Sequence, residues 1–239
     1  MLIVFSVTLG LAGLRSLITL VDALLGPVAL NRQTVTLNAP RAVHSTLDLL
    51  AQLTVVLQLA AWGALGGYLL WRSGVRLTSI GLRRPRIGPD VLAGAGLAAV
   101  IGVPGLALYF GSRALGINLT VLPTTLGDTW WRVPILVLAA VANAWAEEVL
   151  VVGYLITRLR QLGWRENSSV LTSAVLRGSY HLYQGLGGFV GNVLMGLVFG
   201  RFWQRTNRLW ALIVAHTLLD VVSFVGYALL AGHLRWLGQ

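Results

Sequence analysis

Apolar stretches follow one another along almost the whole chain. A membrane-spanning helix needs about 20 mostly apolar residues. Seven stretches of the 239 residues are predicted to form such helices: 3–25, 47–71, 90–111, 132–157, 167–185, 189–203 and 209–231. Because a backbone in lipid must satisfy its own hydrogen bonds, each span is predicted to be helical. The sequence therefore predicts an all-α fold, a polytopic integral membrane helix bundle with about seven transmembrane helices.

The charged residues are few and strongly unbalanced. They make up 11% of the chain, whereas soluble domains carry roughly 25%. The formal charge of +10 comes from 18 basic residues, all arginine, against 8 acids. These arginines lie between apolar runs, where they anchor a protein to anionic lipid headgroups, so we expect membrane lipids and no nucleic acid as partners. The absence of cysteine excludes disulfides, thiolate metal sites and a thiol nucleophile.

The arginines also predict the orientation. Eleven of them lie in the loops 72–89, 158–166 and 201–208, and four lie in the loops that alternate with these. Because cytoplasmic loops are the basic ones, the three loops are predicted to be cytoplasmic, with the amino terminus inside and the carboxyl terminus outside. We therefore expect a multi-pass protein of the cell membrane. Its all-arginine, leucine- and alanine-rich composition favours a bacterial origin.

Ionisable residues inside the later spans are the informative ones, because a charge at mid-bilayer costs about 2.5–3.5 kcal/mol even on a lenient scale. They are Glu147, Glu148, Arg177, His181, His216 and Asp220. Adjacent residues of a helix point about 100° apart, so Glu147 and Glu148 are expected to face different neighbours. His216 and Asp220 share one helix face. A structural ion pair would explain one carboxylate, but the whole set indicates a site.

Hydrolysis of an amide would use this set of side chains. Water needs a general base, the developing oxyanion needs hydrogen-bond donors, and the leaving amine needs a proton. A buried glutamate beside a histidine can serve as base and then as acid. The same residue types also suit a divalent metal such as zinc, with Glu147, His181 and His216 as candidate ligands. The residues alone leave both mechanisms open.

Three motifs resemble the signature of the CPBP family, which comprises CAAX prenyl proteases of type II and bacteriocin-processing intramembrane proteases. The motifs are Glu147-Glu148, the segment Ser179-Tyr180-His181-Leu182-Tyr183-Gln184-Gly185, and His216-x-x-x-Asp220. The resemblance implies that Glu147 activates water with His181 as its partner and that Glu148 positions the site. It implies that His216 and Asp220 bind the oxyanion or the water.

Two positions depart from the family patterns Glu-Glu-x-x-x-Arg and Phe-x-x-x-His. Val152 occupies the arginine position of the first pattern, and Arg177 occupies the phenylalanine position of the second. Our hypothesis is that Arg177 reaches Glu148 and does the orienting work of the missing arginine. If its guanidinium lay out of reach of every carboxylate, the chain would resemble a weakened or non-catalytic member.

The resemblance covers about residues 90–231 and implies three parts of the chain. Residues 1–89 are predicted to form two transmembrane helices and a basic cytoplasmic loop, 90–231 the catalytic bundle, and 232–239 a short tail. The predicted function is an intramembrane endopeptidase, of metalloprotease or glutamate type, that cleaves a membrane protein or lipopeptide in a cavity open to the cytoplasm. A prenylated CAAX substrate is not expected in a bacterium. The alternatives are a catalytically silent relative, such as a self-immunity partner, and a proton-coupled carrier.

Overall fold

A computed structural model of the chain describes residues 1–82 and 84–230. The predicted tail 232–239 lies outside the described residues, as do residue 231 and Arg83. The elements in chain order are α1 (Leu2–Val7), α2 (Leu9–Leu25), β1 (Thr34–Asn38), α3 (Ser45–Arg72), α4 (Ile87–Ala114), β2 (Thr120–Thr124), α5 (Arg132–Glu147), a π-helical segment (Glu148–Ile156), α6 (Thr157–Gln161), α7 (Glu166–Ser179), α8 (Leu186–Thr206) and α9 (Leu209–Leu230). Short 3₁₀ turns cover Leu30–Arg32, Leu77–Ile80 and Leu182–Gln184.

The helical membrane bundle is confirmed. Within the described residues, five helices are long and apolar enough to cross a membrane: 45–72, 87–114, 132–161, 186–206 and 209–230. The third is one continuous helix, because α5, the π segment and α6 follow one another without a break. Two predicted spans are shorter than expected. These are the stretches 3–25 and 167–185.

Local backbone chemistry explains both differences. The stretch 3–25 is divided at Thr8, whose hydroxyl donates back to the carbonyl of Val4 at 2.7 Å and whose backbone leaves the helical region. Such side-chain bonds compete with regular helix geometry. The stretch 167–185 is helical only to Ser179, and a non-helical connection leads from there to Gly185, where φ is +112°. His181 therefore lies in a loop, and not within a helix as the sequence predicted.

The three arginine-rich loops meet at one end of the bundle. The indole N–H of Trp203 donates to the carbonyl of Ile80 at 2.9 Å, and the amide of Gln204 donates to the carbonyl of Glu166 at 3.2 Å. Arg208 binds the buried carboxylate of Asp90 at 2.7 Å, which ties α9 to α4. We call this the arginine-rich end. The predicted clustering of these loops on one side agrees with these contacts.

A two-stranded parallel sheet lies at the opposite end, which we call the sheet end. β1 pairs with β2 in the register Thr34 with Thr120 and Asn38 with Thr124. The segment that precedes β2 also contacts the loop before α8, because the N–H of Leu119 donates to the carbonyl of Gln184 at 2.9 Å. This sheet is a small departure from a purely α-helical fold.

Glycines allow the closest helix contacts in the bundle. A Cβ atom at Gly178 of α7 would lie 2.5 Å from Val193 of α8, and one at Gly196 of α8 would lie 2.8 Å from the Cα atom of Ala174 in α7. Helices in membranes associate through such small residues, because lipid provides no hydrophobic force between them. The close contact of α7 with α8 holds Arg177 against the centre of the bundle, since Gly196 also lies beside its side chain.

Candidate functional site

Four parts of the chain bring the predicted site residues together. Glu147 ends α5 and Glu148 begins the π segment, while Arg177 lies near the end of α7. His216 and Asp220 follow one another along α9, one turn apart. His181 follows α7 in the connection to α8. Hydrogen bonds and ion pairs join these six residues, far apart in sequence, into one cluster.

Arg177 lies between the two glutamates. Its Nη2 donates to Oε1 of Glu148 at 2.6 Å, and its Nη1 donates to Oε2 of Glu147 at 3.3 Å. The Arg177 and Glu148 side chains are fully buried, and its guanidinium also lies over the ring of Phe199, 5.6 Å from the centroid. The compensation hypothesis required contact with a carboxylate, and Arg177 contacts both.

The expectation that the two glutamates face different neighbours is therefore wrong. It assumed α-helical geometry and a partner with a single point of attachment. A guanidinium is a planar fork whose two arms can bind two carboxylates at once. In addition, the backbone changes from α-helix to π-helix at Glu148, which alters the angle between successive side chains. π-helical turns are frequently found at functional sites.

His216 connects the buried carboxylate to a second acid. Its Nδ1 lies 2.7 Å from Oε1 of Glu148, and its Nε2 lies 3.7 Å from Oδ2 of Asp220. Because the Glu148 oxygen also accepts from Arg177, it acts as an acceptor, so Nδ1 of His216 carries the proton of that bond. The amide of Asn143 holds Asp220 from the other side with a 3.0 Å bond to Oδ2.

One ring nitrogen of His181 contacts the backbone of α7. Its Nδ1 lies 2.9 Å from the carbonyl of Arg177, which can only accept, so Nδ1 carries hydrogen and Nε2 is the free acceptor of the neutral ring. The preceding residue, Tyr180, donates its hydroxyl to Oε2 of Glu147 at 2.7 Å. Its carbonyl accepts the hydroxyl of Ser16, which fixes the connection against α2.

A cavity of about 850 Å³ adjoins this cluster. Glu147, His181, His216 and Asp220 line it, whereas Glu148 and Arg177 do not. Glu147 accepts both of its hydrogen bonds through Oε2, and no described residue bonds to Oε1. The site therefore has two layers. Glu148 and Arg177 are sealed in the protein, while the remaining four side chains border the cavity.

The cavity extends to the sheet end of the bundle. Its wall includes Asn38 of β1, Pro123 of β2, and the arginines Arg41 and Arg113. The arginine-rich loops lie at the other end. The expectation of a cavity open to the cytoplasm therefore conflicts with the orientation predicted from those loops. If the loops are cytoplasmic, the cavity extends toward the outer face of the membrane.

The arrangement does not fit a metal site. Within the part of the chain that the structure describes, no group of three histidine, aspartate or glutamate side chains is placed to hold a metal ion. Of the candidate ligands, His216 uses Nδ1 toward Glu148, and Glu147 uses Oε2 toward Arg177 and Tyr180. A buried guanidinium beside both glutamates repels a second cation. Any chemistry at this site therefore depends on the side chains alone.

Two residues of the site were not predicted from the sequence. Asn143 and Tyr180 bind Asp220 and Glu147, respectively. Asn143 precedes Glu147 by four residues and so lies on the same face of α5, which is a signal that the spacing could have revealed. Tyr180 belongs to the second motif but was assigned no role, because its contact with Glu147 depends on how the loop after α7 folds.

Residues 129–222 match the family described as Type II CAAX prenyl endopeptidase Rce1-like. The matched range contains all six predicted site residues and begins just before α5. No curated protein and no solved structure matches the chain. The predicted resemblance is thereby confirmed over residues 129–222, which are similar to the Rce1-like family of type II CAAX prenyl endopeptidases.

Proposed function

We propose that the protein is an intramembrane endopeptidase in which Glu147 activates the attacking water. The observation that carries this proposal is the difference between the two glutamates. Each glutamate leaves one oxygen without a hydrogen bond, but Oε2 of Glu148 is buried inside the protein, whereas Glu147 lines the cavity. A purely structural ion pair would have no use for this second, cavity-facing acid.

The geometry supports a hydrolysis in two steps. Oε1 of Glu147 and Nε2 of His181 both accept hydrogen bonds, so together they can orient the two O–H bonds of one water. Glu147 takes one proton while the oxygen attacks the peptide carbonyl. His216, in its imidazolium form, donates to the oxyanion through Nε2, and Asp220 and Asn143 fix that ring. Glu147 then gives its proton to the leaving amine, which yields a new carboxyl group and a new amino group.

Arg177 and Glu148 act as positioning residues in this proposal. They touch neither the cavity nor the reacting atoms, but Arg177 fixes Oε2 of Glu147 and Glu148 fixes Nδ1 of His216. Oε1 of Glu147 and Nε2 of His216 are then the two atoms that face the substrate. A metal is not part of the proposal, because the residues present do not form a ligand set.

The substrate class follows from the cavity. Its wall consists mainly of apolar side chains from α3, α4, α5 and α9, and it lies among helices long enough to span a membrane. A membrane protein or lipopeptide with an apolar segment near the cleaved bond fits such a wall. With the arginine-rich loops in the cytoplasm, this bond is cut near the outer face.

The test is hydrolysis by the purified protein in proteoliposomes. Lipid-anchored and transmembrane reporter peptides are incubated in H₂¹⁸O, and mass spectrometry identifies products with ¹⁸O in the new carboxyl group. Glu147→Gln should lower kcat at least about 100-fold, the usual range for loss of an acid–base group. The matched control is Glu166→Gln, the same change at an exposed position of the arginine-rich end. Equal turnover by Glu147→Gln and wild type would overturn the proposal.

One observation favours a second candidate, a catalytically silent membrane partner. Arg177 holds both glutamates in ion pairs, and the arginine position of the first motif is occupied by Val152. A silent partner would tolerate Glu147→Gln and His181→Ala in a cell-based assay of its biological effect. A protease would lose that effect with either variant while remaining folded.

A further inference from the structure

The two edges of the small sheet differ. On the outer edge of β2, the N–H of Val121 donates to the hydroxyl of Tyr109 at 3.0 Å, and Pro123 has no N–H to offer. Proline and side-chain caps are common means of closing a sheet edge to further strands. β2 is therefore closed to a third strand.

The outer edge of β1 is open. The N–H of Thr120 donates to the carbonyl of Gln33 at 2.9 Å. This bond shows which alternate residues of each strand bond to the partner strand. In a parallel pair, alternate residues of each strand bond to the partner. Val35 and Leu37 therefore face β2, while the N–H and C=O groups of Thr34 and Thr36 point away from it. No hydrogen bond to these backbone groups occurs in residues 1–82 and 84–230.

The carboxyl end of β1 borders the cavity that contains Glu147. Leu37 and Asn38 of β1 line this cavity, as do Val121 and Pro123 of β2. The sheet thus forms one wall of the same chamber whose deeper wall carries the proposed site. Thr36 directly precedes Leu37 and Asn38, so a segment paired with the outer edge of β1 at Thr36 lies next to residues of the cavity wall.

A peptide bond in a helix is a poor substrate, because its carbonyl is hydrogen-bonded within the helix. Cleavage requires an extended segment, whose freed N–H and C=O groups need new partners where water is scarce. An unpaired strand edge supplies both donors and acceptors at the required spacing.

We propose that the open edge of β1 binds the extended part of the peptide substrate by strand addition and delivers the adjoining bond to Glu147. This inference rests on the proposed hydrolase function and names how its substrate is held. Alternate side chains of the bound segment lie on the sheet face that carries Leu37 and Val121. The preferred substrate is therefore apolar at every second position near the cleaved bond.

Proline substitution tests this edge with matched controls. Thr36→Pro removes an outward N–H and leaves the bonds between β1 and β2 intact, as proline is tolerated where the N–H faces away. Thr36→Val keeps the N–H and changes only the side chain. We expect Thr36→Pro to lower kcat/KM for the reporter peptide about five- to tenfold, mainly through KM, the effect of losing one hydrogen bond. Val35→Pro removes an inward N–H and should instead destabilise the sheet.

A binding measurement separates this inference from the hydrolase proposal. The probe is a palmitoylated peptide of alternating valine and threonine, added to proteoliposomes that contain Glu147→Gln. Hydrogen–deuterium exchange should slow in the fragment covering 34–38, and this protection should be absent with Thr36→Pro or with a backbone N-methylated probe. Cleavage without protection would overturn strand addition alone. Protection without cleavage by wild type would support strand addition and overturn the hydrolase proposal.

Discussion

Removing the buried guanidinium is the most demanding test of the site. Arg177→Met keeps the length of the side chain and removes its charge. The guanidinium is fully buried and makes bonds of 2.6 and 3.3 Å to the two glutamates. Breaking a buried ion pair by removing one partner costs about 3–5 kcal/mol, because the other charge stays buried and uncompensated. For a chain of this size we expect Tm to fall by roughly 6–20 °C.

A double-mutant cycle shows whether the cost arises from Glu148. Arg177→Met/Glu148→Gln removes both members of the shortest bond and should recover much of the lost stability, with a coupling energy of about 1–3 kcal/mol. Activity should not recover, because Oε2 of Glu147 then lacks the bond from Arg177 and Nδ1 of His216 lacks a carboxylate partner. Thermal unfolding in detergent is followed by the fluorescence of the 9 tryptophans. If the stability lost in the double variant equals the sum of the losses in the two single variants, the coupling is refuted.

Exchange of the two motif positions tests the compensation more directly. Arg177→Phe introduces the residue of the family pattern and should inactivate the protein, since no guanidinium then bridges the two glutamates. Adding Val152→Arg returns a cation one helical turn after Glu148, on the π segment. The double variant should regain activity relative to Arg177→Phe alone. If it gains nothing while remaining folded, the cation has not simply moved between helices, and Arg177 serves another purpose.

Three further predictions concern orientation, metal and packing. In this cysteine-free chain, Thr34→Cys at the sheet end should react with a membrane-impermeant maleimide on intact cells. Thr78→Cys should react only after permeabilisation, and the reverse pattern would invert the orientation. Activity should survive EDTA and 1,10-phenanthroline, and loss that added zinc restores would contradict the metal-free site. Gly178→Ala should cost about 1–3 kcal/mol by overpacking, since its Cβ would meet Val193 at 2.5 Å; unchanged Tm would disprove this close contact of α7 with α8.

The long helices could be predicted from hydropathy, because apolar length alone decides whether a segment can span a membrane. The failures lie where another interaction competes with that rule. At Thr8 a hydroxyl bonds the backbone of its own helix and ends the regular geometry. After Ser179 the chain is held by contacts from segments far away in sequence, such as Leu119 to Gln184. Neither hydropathy nor helical spacing contains that information.

The sheet was missed for a related reason. Thr34–Asn38 and Thr120–Thr124 are short, and neither stands out beside the apolar spans. Their pairing is parallel and joins positions 86 residues apart, for example Thr34 with Thr120. A parallel pair leaves no hairpin turn to detect in the sequence. The strands that form one wall of the cavity could therefore not be predicted from a single sequence.

The candidate site residues could be selected from the sequence as a group, because each is costly in a membrane and its type and depth identify it. The different roles of these residues could not be predicted in this way. Glu147 and Glu148 are adjacent and chemically identical, and the sequence offers no difference between them except a family pattern. The structure separates them by position, because Glu147 lines the cavity, whereas Glu148 is fully buried beside Arg177 and His216. If the protein is a protease, Glu147→Gln should abolish turnover with little change in Tm, whereas Glu148→Gln should affect both.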